Sequence, residues 1–243
     1  MRRTSALALT LAVLGIVLLG SASVGYRLGW WGLGPAFTML RASVYVAMVV
    51  AIVAVIGVAL GLMARHWMSV VAAVFAILLA AGTAAVPLAM QRTGRSVPAI
   101  HDITTDTEHP PEFVTLRSLR ERTPNGVAYG GGAVATEQRR AYPDLTSLRL
   151  PIPPDRAFAL VEATARSFGW DIASAMPAEG RLEATDTTRW FGFKDDVVVR
   201  VVSIPEGSRV DVRSVSRIGR SDLGANARRI RGFLAALSVR ARA

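Results

Sequence analysis

The 243-residue chain contains no cysteine, a single lysine (Lys194) and three histidines. Without cysteine there is no disulfide framework, no thiol nucleophile and no cysteine metal site. Acidic residues are missing from the first hundred positions. All 18 lie at or after Asp102, and the first 91 residues carry only Arg2, Arg3, Arg27, Arg41 and Arg65 as charges. With 51% hydrophobic residues overall, the chain is too apolar for an average soluble protein. The uneven charge reads as a membrane region, 1–91, followed by a soluble one.

The formal net charge is +10. Residues 92–243 hold 23 basic against 18 acidic side chains, a net of only +5, and the remaining five arginines flank apolar segments, where cations meet lipid headgroups. Nucleic acid is therefore disfavoured as a partner, and the lipid bilayer is favoured. Three uncharged stretches, about 4–24, 42–64 and 67–90, each approach the ~20 residues that cross a bilayer core as helix. Trp30, Trp31 and Trp67 stand at their ends, where indole rings favour the interface. Pro87 falls in the last turn of the third stretch. "YRLGWWGLGPAF", 26–37, reads as a short interfacial loop.

The first stretch has a second reading as a cleavable signal, with Arg2 and Arg3 before it and Ser21-Ala22-Ser23 after it. Three crossings from an inside N-terminus, or two after cleavage, both place the C-terminal part outside the cytoplasm. Arginine placement is nearly silent: Arg2, Arg3 and Arg65 on one side face Arg27, Arg41, Arg92 and Arg95 on the other.

Residues 92–145 are rich in Pro, Gly and Thr without a sustained period, and read as an extended connector. The three glycines Gly130, Gly131 and Gly132 lack the Lys-Ser/Thr of a phosphate loop. From 146 onward the pattern is regular. A strand, 146–150, precedes a helix opened by Pro153-Pro154-Asp155, with Phe158, Val161, Ala165 and Phe168 on one face. Strands follow at 170–176, 181–187, 196–203 and 209–216. Ser221 or Asp222 caps a final helix with Leu223, Ala227, Ile230, Leu234 and Leu237 as its stripe. The order β-α-β-β-β-β-α predicts an α+β domain, 146–243, with an antiparallel sheet packed on two helices in a helix-grip-like arrangement.

"DVRSVSRIGRSDLGANARRIRGF", 211–233, concentrates arginines at a strand-to-helix junction. A two-residue turn at Glu206-Gly207 would set Val201 opposite Val212, Val198 opposite Val215, Asp196 opposite Arg217 and Arg200 opposite Arg213. Facing arginines need an anion between them. Asp186, Asp195, Asp196 and Asp211 are the internal candidates. The alternative is a ligand phosphate or carboxylate at Arg200, Arg213, Arg217, Arg220 and Ser221, beside the last helix's N-terminus. Asp222 opposes that alternative, since a carboxylate there caps the helix itself. Trp190, Phe191 and Phe193 in "TTRWFGFKDD" offer either core closure or an apolar surface for a ligand or the bilayer.

No complete catalytic constellation is present. "GRSDLG" misses G-x-S-x-G by one residue and has no histidine nearby in sequence. His101, Asp102, Asp106 and His109 match no metal-ligand spacing. Asp195 and Asp196 alternate across a strand and cannot act as a close acid/base pair. No cofactor or metal is expected.

The stretches "AIHDITTDTEHPPEF", "AYPDL", "GRLEATDTTRWFGFKDDVVVRV" and "RVDVRSVSRIGRSDLGANARRIRGF" resemble the bacterial family called domain of unknown function 1499, in its membrane-anchored form, over about 98–237. The resemblance implies a shared fold and no particular activity. Many relatives carry an export signal or lipoprotein segment, which implies an extracytoplasmic domain at the inner membrane. Some have cysteine where this chain has Gly126, so cysteine chemistry does not carry over. The expectation is a membrane-anchored binding or scaffolding domain of the cell envelope, with an anionic ligand or an envelope protein as partner. The alternatives are a hydrolase or transferase acting on an anionic lipid or envelope substrate, and a structural subunit of a membrane complex.

Overall fold

A computed structural model describes residues 2–242, the side chain of Arg2 excepted. The chain divides into two compact units, Met1–Arg92 with Trp190–Gly192, and Thr93–Arg189 with Phe193–Ala243.

The first unit holds three long apolar helices, α1 (Arg2–Arg27), α2 (Leu33–Met63) and α3 (Trp67–Ser96), each long enough to cross a membrane. Their buried faces are small: Ala8, Ala12, Ala47, Ala54, Ala73, Ala76 and Ala80 pack together with Val50. Large apolar side chains such as Ile52, Val71 and Leu78 point outward, each more than 60% exposed. Small inside and large outside inverts a soluble bundle and suits lipid, which gives helices no hydrophobic drive to hide Leu or Ile from it. Ser5 Oγ donates to the Ser69 carbonyl at 2.9 Å. Only residues 28–32 separate α1 from α2, because Gly34-Pro35 lies within the first turn of α2, where proline needs no N–H. Polar residues extend α3 to Ser96, so Pro87 is an interior residue and not a last-turn one.

The second unit is built on six antiparallel strands, β1 (Asp102–Thr104), β2 (Leu148–Leu150), β3 (Asp171–Met176), β4 (Arg181–Thr187), β5 (Lys194–Ile204) and β6 (Gly207–Ser216), in the order β1-β6-β5-β4-β3. The short strand β2 shares the free edge of β6 with β1, pairing 208–210 while β1 pairs 213–215. Helices α4 (Arg117–Arg120) and α5 (Gly131–Ala141) precede β2, α6 (Pro154–Ser167) follows it, and α7 (Ala225–Arg242) ends the described chain. The order expected from 146 onward is present.

The segment read as an extended connector is instead part of this unit: β1, α4 and α5 all lie within it, and β1 joins the sheet. A three-residue strand and a four-residue helix are too short to display a period. One sheet face carries Leu182, Ala184, Val197, Val199, Val201, Val210 and Val212 against Phe158, Val161, Ala227, Ile230 and Phe233 of α6 and α7. Phe233, not Leu234, is the fully buried residue of that turn. Leu223 precedes α7 with φ of 53°. Phe168, the C-cap of α6, is 40% exposed, its ring edge-on to Trp170 at 5.8 Å.

The β5–β6 register differs from the expected one. Pro205-Glu206 forms the turn, so Ile204 pairs Gly207, Val201 pairs Val210, Val199 pairs Val212, Val198 pairs Arg213, Asp196 pairs Val215 and Arg200 pairs Asp211. The reason is Pro205. A turn at Glu206-Gly207 would require it to donate an N–H across the hairpin, which proline lacks, whereas its fixed φ suits the first turn position. Gly207, at φ 131°, closes the turn where any Cβ would stand 2.3 Å from the Leu150 carbonyl oxygen.

Candidate functional site

Because partners shift by two residues, side chains keep their faces, and the second face of the sheet is the charged one. On it Glu183, Thr185, Asp196, Asp211 and Arg213 are buried, roofed in part by Phe113 and Leu116, which pack on Val198 and Val215. Asp196 is its centre. It accepts hydrogen bonds from Arg120 Nη1 at 2.8 Å, Arg217 Nη2 at 2.7 Å and Thr185 Oγ1 at 2.8 Å. The Arg120 side chain is fully buried, with further bonds to the carbonyls of Val215 and Gly126, and it lies 5.0 Å from the Phe113 ring centre.

Arg213 forks onto Asp102 at 3.0 and 2.8 Å and also donates to the carbonyls of Pro111 and Val127. Arg200 is held by Asp211 at 2.8 Å and Asp106 at 3.0 Å. Burial raises the Asp106 carboxyl, but N–H bonds from His109 and Glu108, with Arg200 and Arg209 beside it, bring it below its ordinary value. Like charges do face each other, as Arg181 opposite Arg200 rather than Arg200 opposite Arg213. Arg181 is neutralised by Glu179 and Glu183. Glu183 in turn accepts three backbone N–H bonds, from Val114, Thr115 and Leu116, at 2.8–3.0 Å. An anion-binding nest is thus filled by the chain's own carboxylate.

On the helix face, Arg229 bonds Asp186 at 2.7 Å and Asp195 at 2.6 Å, so Asp195 and Asp196 point to opposite faces. Asn226, fully buried, bonds the His101 carbonyl and Ser216 Oγ. Asp222 caps α7, accepting from Gly224 N–H at 2.7 Å and Asn226 N–H at 2.9 Å. Burial pushes its carboxyl above the ordinary value, against the pull of those bonds. Ser221 Oγ accepts the Leu223 N–H at 3.2 Å.

Of the five residues considered for an anion, Arg200, Arg213 and Arg217 are therefore held by internal carboxylates, and Ser221 serves the turn. Arg220 differs. It is exposed, and among the described residues its guanidinium has no ion-pair partner. It borders a cleft of about 210 Å³ whose other walls include Ala99, Ile100, His101, Ala128 and Val134. The fold brings His101 and Asp102 to this junction beside Ser221, a grouping invisible in the sequence. They are not wired for nucleophilic catalysis: the His101 ring Nδ1 lies 3.4 Å from the Arg220 carbonyl, Asp102 holds Arg213, and the Ser221 hydroxyl has no bond to the ring. Among the described residues no three His, Asp or Glu side chains gather as a metal site.

The aromatic trio is divided. Phe191 is 2% exposed and Trp190, edge-on to it at 4.9 Å, is 36% exposed; both group with the first unit, and the half-buried Phe193 groups with the second. Sequence reasoning missed Arg120, Asp102, Glu183 and Arg229. Asp102 and Arg120 stand in the supposed connector, where nothing marks a charged residue for burial.

Three apolar helices of spanning length followed by an α+β domain with a charged, self-paired sheet face define a membrane protein carrying a compact domain. Residues 102–237, more than half of the chain, match the family model described as "Protein of unknown function (DUF1499)", and the chain belongs to that family. No curated protein matches it. Among solved structures, protein CV1439 from Chromobacterium violaceum is similar at 13% identity and a TM-score of 0.26, covering 37% of this chain and 93% of its own. TTHA0849 from Thermus thermophilus is similar at 12% identity and a TM-score of 0.22, covering 40% and 88%. At those scores neither likeness bears on function.

Proposed function

We propose that this chain is a membrane-anchored domain of the bacterial cell envelope that binds or scaffolds rather than catalyses, with residues 93–243 on the outer side of the plasma membrane. The observation that supports the reading is the pairing of the charged face. Asp102, Asp196, Asp211 and Glu183, the carboxylates an enzyme site would need free, are each committed to arginines or backbone N–H groups. Such a network holds shape; it does not exchange protons with a substrate. Orientation follows from three crossings that begin with a cytoplasmic N-terminus. The partner in this reading is a small anionic ligand or an envelope protein.

Two measurements test it. Alkaline phosphatase, active only outside the cytoplasm, fused after residue 243 is expected to be active, and a fluorescent protein that matures only inside is expected to be dark; the converse overturns the orientation. Native mass spectrometry of the full chain released from native nanodiscs is expected to show a bound small molecule or protein. A chain that emerges bare and turns over phosphate or carboxylic esters overturns the binding reading.

A further inference from the structure

The structure assigns a ligand site to the cleft at the junction between β6 and α7: we propose that it takes a small anion with a short apolar body, the charge on Arg220 and the body against Ile100, Ala128 and Val134. This rests on the binding reading above and names the ligand class. The first ground is selective pairing. Of the arginines between 213 and 231, Arg213, Arg217, Arg229 and Arg231 each hold a carboxylate, and Arg228 donates to the Leu223 carbonyl. The Arg220 guanidinium alone of that run bonds nothing among the described residues, and it is the one at the rim of a cleft.

The second ground is that the backbone on either side of Arg220 is held. Asn125 Nδ2 donates to the Gly219 carbonyl at 2.9 Å, and Asp222 N–H donates to the Ile100 carbonyl at 3.2 Å, so both walls are pinned to the junction. Asp102 also lines the cleft, but its charge is taken by the fork from Arg213, which removes the repulsion an anion would meet.

Tyr129, between the lining residues Ala128 and Gly130, does not itself line the cleft; its ring lies under the Arg213 guanidinium, 5.5 Å from ring centre to charge. Its phenol oxygen is buried and has no hydrogen-bond partner among the described residues, a condition native proteins relieve with water or a bound group. Burial pushes this phenol up to about 12, so it stays protonated. The volume, about 210 Å³, is that of roughly seven liquid waters, which admits a short-chain carboxylate or the phosphate end of a small ester and excludes a whole lipid.

The test follows the thermal midpoint of the full chain in zwitterionic nanodiscs at constant ionic strength, titrated with pentanoate, glycerol 1-phosphate and, as a control, chloride. A parallel arm replaces the zwitterionic lipid with phosphatidylglycerol. A saturable rise with pentanoate or glycerol 1-phosphate assigns a soluble ligand; a rise only in the phosphatidylglycerol discs assigns a lipid headgroup. Either rise is expected to weaken at least tenfold in affinity in Arg220→Gln, which leaves the fold untouched, and in Val134→Trp, which fills the cleft. A saturable rise that persists in both variants overturns the cleft while leaving the binding reading intact. No saturable rise in either arm overturns the ligand class, and the bound species found by native mass spectrometry then decides the binding reading separately.

Discussion

Replacing Asp196 with Asn is isosteric and removes one charge, and its consequence can be worked out from the surroundings. In the wild type the carboxylate, fully buried, takes hydrogen bonds from Arg120, Arg217 and Thr185. Arg217 is 18% exposed and can turn towards water, whereas the Arg120 side chain is 0% exposed and cannot. The variant therefore strands a guanidinium whose remaining acceptors are the carbonyls of Val215 and Gly126. Leaving one member of a buried ion pair uncompensated costs about 3–5 kcal/mol. Losing Arg217 instead, as in Arg217→Gln, forfeits a charged hydrogen bond worth about 1.5–3 kcal/mol. The double variant Asp196→Asn with Arg120→Met removes the stranded charge and is expected to recover most of the loss, since a buried pair exchanged for apolar volume is close to neutral. The lack of native cysteine supplies the assay. A single cysteine at Ala165, a residue with no exposure, reports opening of the second unit by its reactivity towards a maleimide in urea, on the full chain in nanodiscs. With a slope near 2 kcal/mol/M, Asp196→Asn should lower the midpoint by about 1.5–2.5 M. A loss below about 1 kcal/mol, or a double variant as unstable as the sum of its parts, would refute the reasoning.

Two further outcomes are expected with the same assay. Gly207→Ala places a Cβ 2.3 Å from the Leu150 carbonyl oxygen at φ 131° and is expected to cost at least about 1–3 kcal/mol; a neutral effect would mean that the Pro205-Glu206 turn is wrongly placed. Asp106, depressed below its ordinary value, contributes stability that is present above the usual carboxylate range near ~3.9 and is lost as pH falls through its own lower value. The gap between wild type and Asp106→Asn should therefore narrow as pH drops below ~4, and a gap constant from pH 7 to 3 would remove Asp106 from the network.

What was legible in the sequence depended on how many residues repeated a signal. The spans and the strands from 170 to 216 repeat theirs, and they stand near where the pattern placed them, except that α2 begins at Leu33, inside the stretch read as a loop. β1, α4 and α5 do not, so a folded edge of the domain read as connector. The hairpin failed on one atom. A turn at Glu206-Gly207 needs an N–H that Pro205 cannot supply, and the register therefore lies two residues from the expected one. Face assignments survived, since an even slip returns each side chain to its own side. That is why Asp196 and Arg217 still bond although they are diagonal rather than opposite.

The partners of the arginines were harder to read than their number. The candidates for Arg213 are Asp186 and Asp211 on neighbouring strands, yet its carboxylate is Asp102, 111 residues away on a strand too short to predict. Strand β1 sits against the same stretch of β6 that bears Arg213, so edge pairing delivers Asp102 to it: the backbone ladder and the ion pair specify each other. The loop after β1 is tied to the sheet in the same way, with Arg200 and Arg213 gripping the carbonyls of His109 and Pro111 and Glu183 gripping the N–H groups of 114–116. Charges used like this add little net stability, because their desolvation offsets their attraction. What they add is position, since a main chain held from the sheet by side chains in fixed register has one place to lie. Ala128, Gly130 and Val134 enter the cleft wall at the far end of that held segment, opposite Arg220. The self-paired face and the cleft are therefore one construction: among the described arginines of 213–231, those with partners place the walls, and Arg220, which has none, borders the opening.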